Sequence, residues 1–243
     1  MALIRIDKFL AHMGAGTRNE IKTMLKGGRV KFQGKVVKDG GLKIPEDTTL
    51  ELDGKPVSYS TFTYLMLNKP TGVISATEDK CDKTVVDLLP PPYNSMGLFP
   101  VGRLDKDTVG LLILTNDGEF AHNSLAPKKH VSKTYYVEAR GSFSADLADI
   151  FEKGVVLEDG SICKSAHLHI IENNDTLMKC SLTITEGKFH QIKRMFAANG
   201  GRVEYLKRVS FGKIALDSEL EEGCFRPLND EEMAFVKEIK LGE

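Results

Sequence analysis

Three acidic and two basic residues surround a short apolar run in the stretch GRLDKDTVGLLILTNDG, residues 102–118. They are Asp105, Asp107, Asp117, Arg103 and Lys106. A carboxylate at the end of a buried strand can act as a nucleophile or as a general base. Two carboxylates about 5–9 Å apart could also serve a glycoside hydrolase, and the spacing of Asp105 and Asp107 leaves that open. A charged turn without catalytic function is the third interpretation.

The usual sequence motifs for cofactors and catalytic metals are absent. The chain has no G-x-G-x-x-G, no G-x-x-x-x-G-K-[ST], no H-E-x-x-H and no G-x-S-x-G. His167 and His169 would share one strand face near Cys163, but such histidines more often lie at the surface or pack in a core. The sequence therefore predicts chemistry that needs neither a cofactor nor a metal.

Basic residues are concentrated in two parts of a chain whose net charge is only −1. Residues 1–45 hold ten Lys/Arg and three acids, residues 186–213 hold seven and two, and residues 214–243 hold three and nine. This asymmetry is typical of a phosphate-binding face, although a solvated helix surface would also produce it. The side chains expected to contact RNA in the first block are Arg5, Arg18, Lys22, Lys26 and Arg29.

The N-terminal residues predict a helix-turn-helix-hairpin unit. Apolar residues at helical spacing indicate the first helix, with Gly14 at its end, and TRNE at 17–20 is a capping box that begins the second. Gly27-Gly28 ends this second helix. The alternating stretch that follows predicts a hairpin turning at Gln33-Gly34. We interpret the polar residues 55–61 as a linker.

The rest of the chain predicts a mixture of strands and helices. Strands are expected at 63–70, 110–115, 134–140, 165–171, 177–185 and 202–216. Helices are expected at 144–154 and 190–198, where apolar residues recur at helical spacing and glycines follow. The strands outnumber the helices and do not alternate with them regularly. The predicted class is therefore α+β, with largely antiparallel sheets.

Four motifs resemble those of the RsuA/RluA-type pseudouridine synthases in their order and spacing. They are YLMLNKPTGV (64–73), VGRLDKDTVGLLILTNDG (101–118), SKTYYV (132–137) and EGKFHQIKRMF (186–196). The N-terminal pattern RIDKFLAHMGAGTRNEIKTMLKGGRVKFQGKVV resembles an S4 domain, an RNA-docking module. The combination resembles the RsuA branch. It implies a small S4-type helix-hairpin domain at 1–58 and a larger, mixed, mostly antiparallel sheet catalytic domain at 62–243.

The resemblance implies the residues that act on the target uridine. Asp105 matches the catalytic aspartate, which acts on C1′ or C6 as a nucleophile or as a base, and Asp107 is then a turn or capping acid. Arg103 resembles the arginine that fills the stack vacated by the flipped base. Tyr135 resembles the tyrosine that packs on that base, whereas Tyr136, on the other strand face, is assigned to core packing.

The resemblance also implies a cation for the catalytic carboxylate. Lys193 matches the basic residue that pairs with the aspartate, which would keep Asp105 ionised in a dry site. Arg194 faces about 100° away on the helix, so only one of the two can make this contact.

The implied activity is isomerisation of a specific uridine of ribosomal RNA to pseudouridine without a cofactor. In length and in its short C-terminal tail the chain resembles the small-subunit enzyme more than the longer large-subunit paralogues, which implies 16S rRNA, at standard position 516, rather than 23S rRNA. The expected partner is 16S rRNA in a small-subunit assembly intermediate, bound by a monomer. Scattered cysteines and the absence of a long apolar run predict a cytoplasmic protein without a membrane segment.

Two alternatives come from other classes. One is a non-catalytic S4-type RNA-binding or ribosome assembly factor, against which the set of Asp105, Tyr135 and Lys193 counts. The other is an rRNA methyltransferase that bears an S4 domain, against which the missing glycine-rich cofactor loop counts.

Overall fold

The computed structural model describes residues 3–59, 62–126, 129–174 and 177–241. The chain divides into two compact units, and the division at Thr63 lies next to the predicted domain boundary. The first unit comprises Met1–Thr63 and Val86–Leu98, and the second comprises Tyr64–Val85 and Phe99–Glu243. The boundaries predicted from the sequence instead place Val86–Leu98 in the second domain.

The first unit contains two short helices and two small antiparallel sheets. Its elements are β1 (Leu3–Arg5), α1 (Ile6–His12), α2 (Arg18–Lys26), β2 (Val30–Phe32), β3 (Lys35–Val36), β4 (Lys43–Pro45), β5 (Thr49–Leu52) and β6 (Lys55–Ser58). One sheet has the order β3-β2-β5-β6, and β1 pairs with β4. The apolar faces of both helices meet in one core, as their spacing predicts, through Ile6, Phe9, Leu10, Ile21 and Leu25.

Local sequence signals account for most of this unit. Thr17 and Glu20 form the predicted capping box at the start of α2. Gly14, with φ 71°, follows the end of α1 and lies so close to Pro92 that a Cβ would come within 2.0 Å of the proline Cγ. The segment Val86–Leu98, which contains Pro92 and two 3₁₀ turns, is thereby fitted against a glycine.

The predicted linker at residues 55–61 is wrong over its first half. Asp53 and Gly54 have φ values of 51° and 79°, which is the tight turn that continues a hairpin. Lys55–Ser58 is therefore strand β6, paired with β5. Residues 60 and 61 lie outside the described residues.

The second unit is a large mixed sheet with four helices. Its elements are β7 (Tyr64–Lys69), β8 (Phe99–Pro100), β9 (Val109–Thr115), α3 (Gly118–Leu125), β10 (Lys133–Gly141), α4 (Leu147–Lys153), β11 (His167–Asn173), β12 (Met178–Ile184), α5 (Gln191–Ala197), β13 (Gly201–Phe211), β14 (Ile214–Ala215), β15 (Phe225–Pro227) and α6 (Asp230–Leu241). Among the described residues the sheet has nine strands, seven of them in the order β11-β12-β10-β13-β9-β7-β15, while β14 pairs with β13 and β8 with β9.

Most strand pairs of this sheet are antiparallel, which confirms the α+β prediction. The pairing of β9 with β13 is parallel. Gly110 makes this pairing possible, because a Cβ at its position would lie 2.3 Å from the Arg208 carbonyl oxygen. Arg208 is buried and donates from Nε to the Leu111 carbonyl at 2.7 Å. These contacts fix β9, whose seven residues are all buried, in the middle of the sheet.

Asp117, the third acid of the opening stretch, has a structural function. It caps α3 by accepting hydrogen bonds from the backbone of Glu119 and Phe120. Its other oxygen accepts from the Tyr64 hydroxyl at 2.6 Å and from Lys240 Nζ, on α6, at 2.8 Å. Burial alone would raise the pKa of Asp117, but these donors lower it overall. Helices α3 and α6, neither of which was predicted from the sequence, pack against each other here.

Candidate active site

Asp105 lies in the loop between β8 and β9, and a buried lysine holds this loop from within. Lys69, at the end of β7, is completely buried. Its Nζ donates to the carbonyl oxygens of Pro70, Lys106 and Thr108 at 3.0, 3.3 and 2.8 Å. Burial lowers the pKa of Lys69 to about 8, although the charges of Asp107 and Asp105 oppose this effect.

Side-chain and backbone contacts from residues after β7 hold the same loop. Ser75 Oγ donates to the Leu104 carbonyl at 2.9 Å and accepts from the Leu104 amide at 3.0 Å. The Gly72 amide donates to the Lys106 carbonyl at 2.8 Å. The backbone after Asp105 is therefore bonded to Lys69 and Gly72 of the LNKPTG motif, and the backbone before it is bonded to Ser75, which lies beyond that motif.

We expect Lys69→Met to destabilise the protein by about 1–3 kcal/mol, because buried carbonyls lose their donor. Turnover should fall by about a hundredfold, since small displacements of a catalytic group have that effect. Thermal unfolding by circular dichroism and a turnover assay measure the two effects. Lys106→Met is the matched control, because its exposed pair with Asp82 should contribute at most about 1 kcal/mol. Equal losses of stability and turnover in both variants would contradict the proposal that Lys69 holds the Asp105 loop.

Lys193 joins the two loop carboxylates to α5. Its Nζ lies 3.1 Å from Asp105 Oδ2 and 2.6 Å from Asp107 Oδ1. The side chains of Asp105 and Lys193 are 29% and 26% exposed, whereas that of Asp107 is 69% exposed. Lys193 is therefore paired with Asp105, as expected, and also with Asp107. Arg194 points elsewhere and pairs with Asp159, as the 100° rotation predicts.

The charges of this cluster stabilise one another. Burial lowers the pKa of Lys193, but its hydrogen bonds to Asp107 and Asp105 outweigh burial and the net change is upward. Burial likewise raises the pKa of Asp107, and Lys193 reverses that effect. A lysine of this kind remains charged at neutral pH, so the cleft contains a permanent cation beside Asp105.

His190, which was not predicted from the sequence, lies on the other side of Asp105. Its Nε2 is 3.6 Å from Asp105 Oδ1. The residue has φ 48° and ψ 34°, in the left-handed region, immediately before α5. Its ring stacks on the ring of Phe189. The signal for His190 was its place in the KFHQIKRM motif, three residues before Lys193.

The two neighbouring tyrosines of β10 lie in different surroundings. Tyr135 is buried and lines the cleft beside Asp105, and its hydroxyl has no hydrogen-bond partner among the described residues. Tyr136 is only half-buried, donates to Glu138 at 2.8 Å and packs edge-on against Tyr205. The assignment of Tyr136 to the core is therefore wrong, because the face of the sheet on which it lies is partly open to solvent.

A cleft of about 90 Å³ surrounds Asp105. Its other charged and polar lining residues include Arg103, Thr108, Tyr135, His190 and Lys193. Arg103 is exposed and forms no ion pair with the described part of the chain. The Thr108 hydroxyl is buried and has no hydrogen-bond partner there. These are groups that could contact a small polar ligand directly.

A separate basic groove of about 820 Å³ lies in the first unit. Its basic residues are Arg5, Lys8, Arg18, Lys22, Lys26 and Lys38. Four of the five side chains expected to contact RNA are therefore together. Arg29 does not line this groove and pairs with Asp53 instead. Lys8, on α1, and Lys38, in the loop after β3, were not predicted to contact RNA, because only the fold brings them next to the other basic residues.

The residues that the structure describes contain no group of three or more His, Cys, Asp or Glu arranged to hold a metal ion. His167 and His169 are exposed on β11. Over the same ranges, no helix is both long and apolar enough to cross a membrane.

The fold and the site define a two-unit α+β enzyme with one lysine-paired carboxylate in its cleft. Residues 63–198 match the family model described as RNA pseudouridylate synthase, and residues 4–50 match the S4 domain. The chain belongs to the RNA pseudouridylate synthase family and carries an N-terminal S4 domain.

Individual relatives agree with this assignment over nearly the full chain. The chain is 47% identical to an uncharacterized RNA pseudouridine synthase, YtzG, of Bacillus subtilis, covering 97% of this chain and 99% of that one. It is 40% identical to ribosomal small subunit pseudouridine synthase A of Yersinia pestis, covering 96% and 98%. A crystal structure titled pseudouridylate synthase has a TM-score of 0.67 at 34% identity, covering 96% and 99%.

Proposed function

We propose that this protein converts a uridine of small-subunit ribosomal RNA to pseudouridine, with Asp105 as the catalytic carboxylate. The observation that carries the proposal is the contact of 3.1 Å between Asp105 and Lys193 in the cleft lined by Tyr135. The reaction breaks the N1–C1′ bond, turns the base and joins C5 to C1′. Its substrate and product have the same atoms and oxidation state, so acid–base and nucleophilic groups suffice.

Four residues of the cleft are assigned functions in this reaction. Asp105 attacks C1′ or C6 or removes a proton, and Lys193, whose Nζ is 3.1 Å away, orients the carboxylate. Tyr135 packs on the target base and handles a proton through its hydroxyl. The target must leave the RNA stack to reach them, because its C1′ and C6 are inaccessible in folded RNA. Arg103, exposed at the cleft, fills the space that the base leaves.

The contacts of Lys193 count against glycoside hydrolysis. A glycoside hydrolase needs its two carboxylates on either side of the scissile bond. Here the Lys193 ammonium lies between Asp105 and Asp107, at 3.1 and 2.6 Å from their oxygens. No sugar fits between two carboxylates that contact the same ammonium.

The proposal of 16S rRNA, at standard position 516, is supported by the relative of Yersinia pestis, whose name specifies the small ribosomal subunit. Carbodiimide modification and primer extension, in a strain that lacks this gene, test both the activity and the site. We expect one stop in 16S rRNA to disappear and to return with the wild-type gene but not with Asp105→Asn. An unchanged pattern would contradict the activity, and a lost stop in 23S rRNA would contradict the choice of subunit.

We further propose that a monomer acts in the cytoplasm on an assembly intermediate of the small subunit. All four cysteines are free, which suits a reducing compartment. A flipped uridine requires that the surrounding RNA is still accessible. Turnover on naked 16S rRNA, on partly assembled particles and on mature subunits, together with light scattering of the complex, tests these statements. Equal turnover on mature subunits would contradict the assembly intermediate.

The basic groove is expected to provide RNA affinity and no chemistry. Lys22→Ala with Lys26→Ala should weaken binding and reduce the salt slope of log K by about 0.7–0.9 for each phosphate that the variant no longer neutralises. Single-turnover rates at saturating protein should not change. Arg29→Ala is the control, because Arg29 pairs with Asp53 away from the groove. An unchanged salt slope in the double variant would show that RNA does not bind there.

A further inference from the structure

We propose that Phe189 and His190 form a stacking platform for the nucleobase next to the target uridine. The proposal rests on the proposed function in one respect, namely that the target ribose lies at Asp105. Phe189 is 74% exposed. Its ring centroid is 3.8 Å from that of His190, and the two planes differ by 19°. A phenylalanine this exposed forgoes most of the free energy that burial of its side chain would provide, so its position requires an explanation.

The order of the groups relates the platform to the reaction. The His190 imidazole contacts both groups, because its Nε2 lies 3.6 Å from Asp105 Oδ1 and its ring stacks on the Phe189 ring. A base on the outer face of Phe189 would have the Phe189 ring between itself and His190. The target base, whose ribose must contact Asp105, is expected in the cleft beside Tyr135, which Phe189 does not line. The outer face of Phe189 is therefore assigned to a different base of the same RNA.

The loop that carries the two rings is fixed before any RNA binds. Gln191 is buried, accepts from the Lys188 amide at 2.9 Å and donates to Glu186 at 2.8 Å. Lys188 Nζ donates to the Ile162 carbonyl at 2.6 Å. His190 has a left-handed backbone, which non-glycine residues adopt at an energetic cost, and such strain often accompanies a functional site. A preorganised aromatic side chain loses little entropy when it binds a ligand.

Several observations favour a nucleobase as the occupant. The separation of 3.8 Å between the two rings is close to the roughly 3.4 Å between stacked bases. Flipping one base removes a stacking partner from each neighbour, and an aromatic side chain can replace it. Arg103, Lys188 and Lys193 line the cleft together with His190, on which Phe189 stacks, and cations near aromatic rings are typical of single-stranded RNA contacts.

The test uses an RNA stem-loop of the target with 2-aminopurine placed either 5′ or 3′ of the target uridine. Asp105→Asn protein binds this RNA without turnover. We expect quenching of one of the two probes, and loss of that quenching in the double variant that also carries Phe189→Leu. With Asp105 intact, Phe189→Leu and Phe189→Ala should raise KM roughly 5- to 150-fold with little change in kcat. Phe189→Tyr should restore both quenching and KM.

The control is Ile171→Ala, which removes a comparably exposed apolar side chain from β11. Circular dichroism checks the fold of every variant, and the exposure of Phe189 predicts no loss. The proposal of a stacking platform is contradicted if neither probe is quenched or if Phe189→Leu binds the RNA as tightly as the wild type does. Loss of turnover in Asp105→Asn would in that case leave the proposed function standing. Turnover by Asp105→Asn would overturn the proposed function itself, whatever Phe189 does.

Discussion

Asp105→Asn is expected to reduce turnover by several orders of magnitude while the fold and the RNA affinity persist. The substitution is nearly isosteric, and the loop backbone is held by the side chains of Lys69 and Ser75 and by the amide of Gly72, none of which contacts the carboxylate. It removes the negative charge and the nucleophilic oxygen together. A residue with only a turn function would cost on the order of 1 kcal/mol of stability, with little change in rate. Tritium release from RNA labelled at uridine C5, with circular dichroism, separates the two cases.

Asp107→Asn is the internal control for this result. Asp107 contacts the same Lys193 ammonium but is far more exposed than Asp105. Its loss removes one of two anions that raise the pKa of Lys193, and Asp105 remains to hold the cation. We expect substantial activity to remain. If Asp107→Asn were inactive and Asp105→Asn active, Asp107 rather than Asp105 would be the catalytic carboxylate.

Tyr135→Phe is expected to slow turnover by roughly 10²–10⁴-fold, the usual contribution of a positioned proton donor or acceptor. The ring and its packing are retained. The hydroxyl has no partner among the described residues, so its removal should leave the melting temperature unchanged. Binding of RNA should also persist, because the ring still packs on the base. Turnover at the wild-type rate would assign Tyr135 to packing alone.

Tyr136→Phe should give the opposite pattern. Its hydroxyl donates to Glu138 at 2.8 Å on the half-exposed face of the sheet. Losing this hydrogen bond should cost about 1 kcal/mol of stability. The side chain does not line the cleft, so turnover should remain near the wild-type rate. The pair of variants distinguishes the two adjacent hydroxyls by two independent measurements.

Local patterns in the sequence were sufficient for the two helices and the first hairpin of the first unit and for most strands of the second. The capping box at Thr17, the turn at Gln33-Gly34 and the alternation of β10 each depend on residues that are close in the chain. Such signals act over a few residues, so they survive in any tertiary context. The prediction of a linker at 55–61 was wrong because the Asp53-Gly54 turn was not interpreted as the start of a further strand, β6.

The candidate site was predicted only as far as motifs specify residues. Asp105, Tyr135 and Lys193 were selected through a family resemblance, and the fold brings all three to one cleft. Lys69 was not selected, although it lies in a quoted motif, because no local pattern tells a buried lysine from an exposed one. Arg29 was selected with the other basic residues, and only the tertiary structure places it outside the basic groove.

What the sequence by itself determined is the identity of most elements, though not of α3, α6 or β6, together with the α+β class and the residues that the family motifs contain. What only the tertiary structure decided is which side chains meet. Lys193 contacts a carboxylate 86 residues away, and His190 lies beside Asp105. The parallel pairing of β9 with β13, permitted by Gly110, helps to place these distant segments side by side. Contacts of this range depend on strand order and close packing, which no local periodicity encodes.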